Sequence, residues 1–156
     1  MDHLPVVNEP DHRCGALLDH LARRMRLHGE RVLDPLGLRP RHLVALTVLR
    51  ERSGMTQQAL SATLMVDRAN IVGLLNDLEG AGFVERIRSA QDRRRHFVQL
   101  TEAGMSRLAA AECALAGAED EVLSALDPVQ REQLYVLLQR ATAADDADCV
   151  VAVAED

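Results

Sequence analysis

The sequence contains no lysine and no tryptophan, and among its 156 residues there are two Phe, one Tyr and three cysteines that form no CxxC pair. Each absence excludes something. Three aromatic side chains cannot supply a platform on which successive unpaired bases stack, which disfavours single-stranded nucleic acid or RNA as a ligand. Cys14, Cys113 and Cys149 are odd in number and far apart, so neither a disulfide framework nor a cysteine zinc site is indicated. No apolar run approaches the roughly 20 residues needed to cross a bilayer, and the opening MDHLPVVNEP lacks the basic start and apolar centre of a secretory signal; a cytoplasmic protein without a membrane partner is expected. The signatures HExxH, GxSxG, the P-loop and a complete GxGxxG are missing, and GAG at residues 80–82 reads as a helix terminator. No enzyme, no cofactor and no metal site are therefore expected.

What is there is an ordinary globular composition, 47% hydrophobic and 27% charged, in a chain long enough for one domain with an added oligomerisation element. The net charge of −6 conceals a division along the chain. Residues 37–100 hold ten Arg against six acidic residues, a net +4, whereas residues 1–36 carry −1 and residues 101–156 carry −9. Positive charge is concentrated in the middle, where it can form a patch facing a polyanion, and every basic residue is an Arg, suited to forked contacts with phosphate and base edges.

Periodicity divides the chain into helices around one β-hairpin. Leu17, Leu18, Leu21, Met25, His28 and Val32 recur at helical spacing over about residues 11–33. DPLGLRP interrupts, and Pro40 opens a second helix to about Arg52, with Leu43, Leu46, Val48 and Leu49 as apolar positions. After the break at SGMT, Thr56 caps the short helix QQALSATL. Asp67 caps the next helix, whose stripe Ile71, Leu74, Leu75 and Leu78 ends at EGAG. The period then becomes alternating: Phe83, Glu85 and Ile87 share one face of a strand and Val84, Arg86 and Arg88 the other, with HFVQL as its partner. The connecting loop, about residues 89–95, is longer than a tight turn needs and carries Arg93, Arg94 and Arg95. Thr101 caps an Ala-rich helix to about Ala125, and DPVQ starts the last helix with Asp127 as N-cap, Pro128 at N1 and Gln130 closing a capping box. The tail beyond Ala144 is expected to be frayed.

The expected fold class is mainly α with a small two-stranded wing, a winged helix-turn-helix. Residues 1–36 and 101–144 would supply dimerisation helices, residues 37–100 the winged domain and residues 145–156 an acidic tail. A major groove about 12 Å wide admits one helix, and a basic loop beside it can lie along the neighbouring minor groove. On the helix after Asp67, the positions opposite the apolar stripe are Ala69, Asn70, Val72, Gly73 and Asn76, with Arg68 on the first turn. Arg68 and Asn70 could read bases, and Thr56, Gln57 and Gln58 could bond phosphates from the preceding helix N-terminus. Double-stranded DNA is the expected partner. The apolar faces of residues 101–144 call for a second copy of the chain.

The stretch MTQQALSATLMVDRANIVGLLNDLEGAGFVERIRSAQDRRRHFVQLTEAG resembles the DNA-binding core of a MarR-type regulator, above all in the wing pattern D-R-R-x-x-x-V-x-L-T-x-x-G. Asp92, Arg93, Arg94, Val98, Leu100, Thr101 and Gly104 fill that pattern, and the resemblance extends over about residues 15–142. It implies that Arg94 enters the minor groove with Asp92 holding it extended, and that a homodimer binds a pseudo-palindrome, more as repressor than activator. It also implies a small, often aromatic anion as effector, in a cleft lined by residues at His20 and Arg23, with His42 a further candidate. Gly73 and Asp77 depart from the family, where Arg is frequent, so more of the electrostatic contact falls to the wing.

Other readings stay open. His20 and Arg23 could equally be solvated or paired to a neighbour on the helix. Some members of the family sense peroxide through a cysteine near the position of Cys14, although the tyrosines that accompany it there are missing from HRCGALLDHL. A winged-helix protein–protein interaction module is the main rival from another class, because the recognition helix is poor in Arg.

Overall fold

The computed structural model describes residues 13–90, 92 and 95–143. Arg93, Arg94, Cys149 and the acidic tail lie outside the described residues. Six α-helices and three short strands follow one another: α1 (Gly15–Leu33), α2 (Pro40–Glu51), β1 (Met55–Thr56), α3 (Gln57–Leu64), α4 (Arg68–Gly80), β2 (Val84–Arg88), β3 (His96–Leu100), α5 (Glu102–Val122) and α6 (Pro128–Thr142). A 3-10 turn over Asp34–Leu36 joins α1 to α2. None of these helices is long and apolar enough to cross a membrane.

The caps are set by local chemistry. Thr56, Asp67 and Thr101 each accept a hydrogen bond from a backbone N–H three residues on, those of Ala59, Asn70 and Gly104. Asp127 and Gln130 close the capping box reciprocally, at 2.9 and 3.0 Å, behind Pro128. At α2 the reach back is one-sided: His42 Nδ1 accepts from the Arg39 N–H at 3.1 Å, while the His42 N–H donates to the Arg39 backbone carbonyl at 2.9 Å.

Burial follows the periodicity most closely in α4, where Ile71, Leu74, Leu75 and Leu78 all face the core. They meet Leu46 and Leu49 from α2, Leu60 from α3, Phe83 and Val84 from the start of β2, Val98 from β3 and Leu108 and Ala111 from α5. α1 lies along α5, with the backbone of Gly29 against Leu115 and His28 beside Glu121. Its first turns behave differently from the middle, for Leu17 and Leu18 are 63% and 45% exposed. α6 buries no residue against its own chain.

The wing differs from the expected two-stranded hairpin. Met55 and Thr56 form a third strand, giving the antiparallel order β1-β3-β2, with Met55 opposite Val98 and Thr56 opposite Phe97. Two residues give too short a run to show alternation, and Thr56 also serves as the α3 cap. Gly54, at φ +93°, lets the chain enter this strand; a Cβ there would lie 2.6 Å from the Phe97 ring. On β2 the face that turns toward α4 is Val84 and Arg86, while Ile87 is 43% exposed beside Phe97.

Where α5 leaves the sheet the packing is closest. The Thr101 N–H donates to the Phe83 carbonyl and its hydroxyl to the Gly82 carbonyl, which brings Gly104 directly onto the backbone of Phe83. A Cβ on Gly104 would sit 1.9 Å from the Phe83 carbonyl oxygen, which no rotamer change can relieve. Gly104→Ala is expected to destabilise by about 3 kcal/mol and lower Tm by about 6–12 °C. Gly117→Ala, in the same helix with open space at its Cβ, should leave Tm unchanged or raise it. Equal effects of the two in thermal denaturation would contradict this packing.

Candidate nucleic-acid interface

The N-terminal ends of α3 and α4 and the base of the wing enclose an open groove of about 520 Å³, lined by Thr56, Gln57, Gln58, Ser61, Arg68, Ile71, Arg95 and His96. Five residues expected to meet DNA are thus brought into one concavity from three separate elements. Two helix N-termini open onto it, each presenting backbone N–H groups and the positive end of a helix dipole. Arg68 and Arg95 add formal charge to its lining. The arrangement can hold a polyanion.

The other expected residues have definite places. Ala69, Asn70, Gly73 and Asn76 are exposed on α4. Asn70 is oriented by its own cap, its Nδ2 donating to Asp67 Oδ2 at 2.7 Å. Asn76 lies farther along the helix and accepts from Arg86 Nη2 at 3.0 Å. At the wing base the Ser89 N–H donates to the Arg95 carbonyl and the Arg95 N–H to the Asp92 carbonyl. The Asp92 carboxylate is 3.6 Å from Arg95 Nε.

Ser61 and His96 were not anticipated. Ser61 donates to the Val66 carbonyl at 2.6 Å and so pins the turn between α3 and α4 across five residues of sequence. His96 could have been found: it opens β3, and alternation with Val98 puts it on the side of the sheet shared with Arg86 and Arg88.

The effector candidates do not form one cluster. His20 and Arg23 are exposed on α1, and Arg23 donates to Asp19 at 3.3 Å, one turn back. His42 is 6% exposed at the start of α2, facing α4. Cys14 is exposed at the N-cap position of α1 and Cys113 is exposed on α5. Among the described residues no group of three His, Cys, Asp or Glu could hold a metal ion.

His42 joins α2 to α4. Because its Nδ1 accepts from the Arg39 N–H, the neutral ring carries its hydrogen on Nε2, which is buried 3.5 Å from Asp77 Oδ2, too far for a good hydrogen bond. Asp77 also accepts from Arg41 Nη2 at 3.3 Å. Burial pushes the His42 pKa below its ordinary 6.5, with Arg41 and Arg39 acting in the same direction and Asp77 opposing them. The unfolded chain therefore takes up this proton at a higher pH than the folded one. The contribution of His42 to stability is complete above about pH 6.5 and is lost as pH falls from there toward the lower folded-state value. Thermal denaturation at pH 7.5 and 5.5 should show a smaller acid loss of Tm in His42→Asn than in the wild type; parallel losses would remove His42 as their source.

Comparison with known proteins bears on this geometry. Residues 38–96 match the model of the MarR family. A protein of Thauera aromatica, described as a candidate transcriptional regulatory protein for the hcr operon, is 33% identical over 131 residues, covering 81% of this chain and 79% of its own. Among solved structures, a mutant MarR from Escherichia coli superposes with a TM-score of 0.72 at 22% identity, over 83% of this chain and 96% of the other. The same protein complexed with operator DNA gives a TM-score of 0.64 at 22% identity, over 82% and 92%. At that identity the structures establish the shared fold.

Proposed function

The chain belongs to the MarR family and is a MarR-type transcription regulator, and from that premise we propose that it binds double-stranded operator DNA as a homodimer in the cytoplasm, represses, and is released by a small aromatic anion. The observation that carries the reading is the groove, whose lining brings together the first residues of two helices, Arg68 among them, and Arg95 at the base of the Arg-rich loop. The exposed turn of α4 would enter a major groove and the wing, with Arg94 at its tip, the adjoining minor groove, where negative potential is concentrated.

Dimerisation is supported by the apolar surface that one chain leaves open. Leu17 and Leu18 on α1 and Val129, Tyr135, Val136, Leu137 and Leu138 on α6 are all exposed in the single chain. Covering them with a second copy removes that surface from water and sets two recognition helices about 34 Å apart, for half-sites centred about 10 base pairs apart. For the effector, His20 and Arg23 lie one turn apart on α1, where a carboxylate could displace Asp19 from Arg23.

Selection of bound sequences from random duplex DNA should recover a palindrome with wild type and lose it with Arg94→Ala. The affinity for that duplex should fall log-linearly with salt, with a slope of about −0.9 for each phosphate neutralised. Absence of any enriched sequence, or binding of a protein partner indifferent to salt, would favour the interaction-module reading. Thermal-shift screening of aromatic acids should find a ligand whose stabilisation drops in Arg23→Ala; equal shifts in both proteins would remove Arg23 from the pocket.

A further inference from the structure

β2 is held at one end by Phe83 and Val84, both buried, and is exposed at the other, where Ile87 and Arg88 lead into the wing loop. Between the two ends stands Arg86, paired with Val98 across the sheet. Its side chain is 19% exposed, and its guanidinium forks: Nη1 donates to the Glu79 carboxylate and Nη2 to Asn76 Oδ1 at 3.0 Å. Asn76 and Glu79 are three residues apart on α4, so they lie on the same face of adjacent turns. One planar group therefore spans a turn of the recognition helix from the strand that carries the wing.

From this geometry we propose that Arg86 is a positioning residue that fixes the angle between the wing and α4, and so the spacing of the two surfaces offered to DNA, while its own charge is held by Glu79. The inference rests on the DNA-binding reading above. From Arg86 to Ala90 the chain extends about 13 Å at 3.3 Å per residue, so a tilt of about 10° at the tether moves the wing by about 2 Å, enough to break a hydrogen bond at its tip. Two of its five N–H donors are taken and its charge already faces a carboxylate, which leaves it less suited than a free Arg to neutralise a phosphate.

Charge alone and positioning predict opposite signs for one substitution. Glu79→Ala removes a negative charge beside a polyanion and on charge alone tightens DNA binding; as the loss of a tether it weakens binding. Arg86→Lys keeps the charge but cannot hold two acceptors in a fixed fork. Each variant should bind the duplex selected by the wild type about fivefold to tenfold more weakly, the net effect of about one ordinary hydrogen bond, with the salt slope unchanged. In the free protein, hydrogen exchange of residues 84–88 should quicken while that of α5 stays as in the wild type. The proposal is overturned if Glu79→Ala binds as tightly as the wild type or more so, if Arg86→Lys keeps full affinity, or if exchange in β2 does not change. Should the wild type select no sequence, the DNA reading falls by itself and the exchange measurement alone decides whether Arg86 tethers the wing.

Discussion

The rotation of α4 about its own axis is the constraint from which the rest of the molecule takes its meaning. Ile71, Leu74, Leu75 and Leu78 are each at most 4% exposed, and a helix with four such residues on one stripe cannot turn without bringing Asn, Asp or Glu into the core. Burial of a Leu or Ile side chain contributes about 1.5–3 kcal/mol, so the stripe holds its orientation with far more free energy than any surface contact could oppose. What α4 presents outward, Arg68, Ala69, Asn70 and Gly73, is therefore fixed by what it presents inward. Apart from Arg68 on the first turn, the display consists of small or short polar side chains, which let another surface approach the helix backbone closely.

Around that helix, charge is arranged by position along the chain. The excess of Arg falls between residues 37 and 100, and the acidic excess falls in the segment that includes α5 and α6. Within the winged lobe, much of the Arg is tied down by carboxylates: Arg41 by Asp77, Arg86 by Glu79 and Arg95 beside Asp92. Such pairs contribute little to stability where they are exposed. Direction is fixed only at Arg86, whose half-buried guanidinium is held by Glu79 and Asn76 together, while the exposed pairs at Arg41 and Arg95 offset charge without fixing a geometry.

Much of this was legible in the sequence because it is local. Caps at Thr56, Asp67, Thr101 and Asp127 need a side chain only three residues from the N–H it satisfies, and the stripe of α4 needs only period 3.6. The third strand was not legible: Met55 and Thr56 are drawn into the sheet by β3, some forty residues away, and the same Thr also caps α3. The inward turn of Arg86 reverses the ordinary expectation that charge faces water, and its reason, Glu79 and Asn76 on α4, is tertiary. His42 was read as an effector candidate, and its place 6% exposed beside Asp77 of α4, between two helices, was not visible from its type alone. In each case the missing information is which distant residue stands opposite.

Those joints also decide how movement of the long helices would reach the groove. Besides the apolar packing of Leu108 and Ala111 in the core, α5 meets the winged lobe and the turn before it through three further contacts: Arg50 with Glu112, Arg107 with the Leu36 carbonyl at 2.8 Å and the Phe83 ring at 5.1 Å, and Gly104 on the Phe83 backbone. The first is solvated; Arg50 holds the Glu112 carboxyl below its usual range, but side chains so exposed can re-form the pair over several ångströms of travel. The Arg107 contacts are half-buried and directional, so they resist sliding more than tilting. Gly104 has no freedom at all, because its backbone already touches Phe83 where any added atom would collide. A change in the angle of α5 therefore presses directly on the backbone of Phe83, with no side chain between them to give way. Phe83 begins the segment that continues into β2, so the point of least compliance between the two halves of the molecule is also the root of the wing.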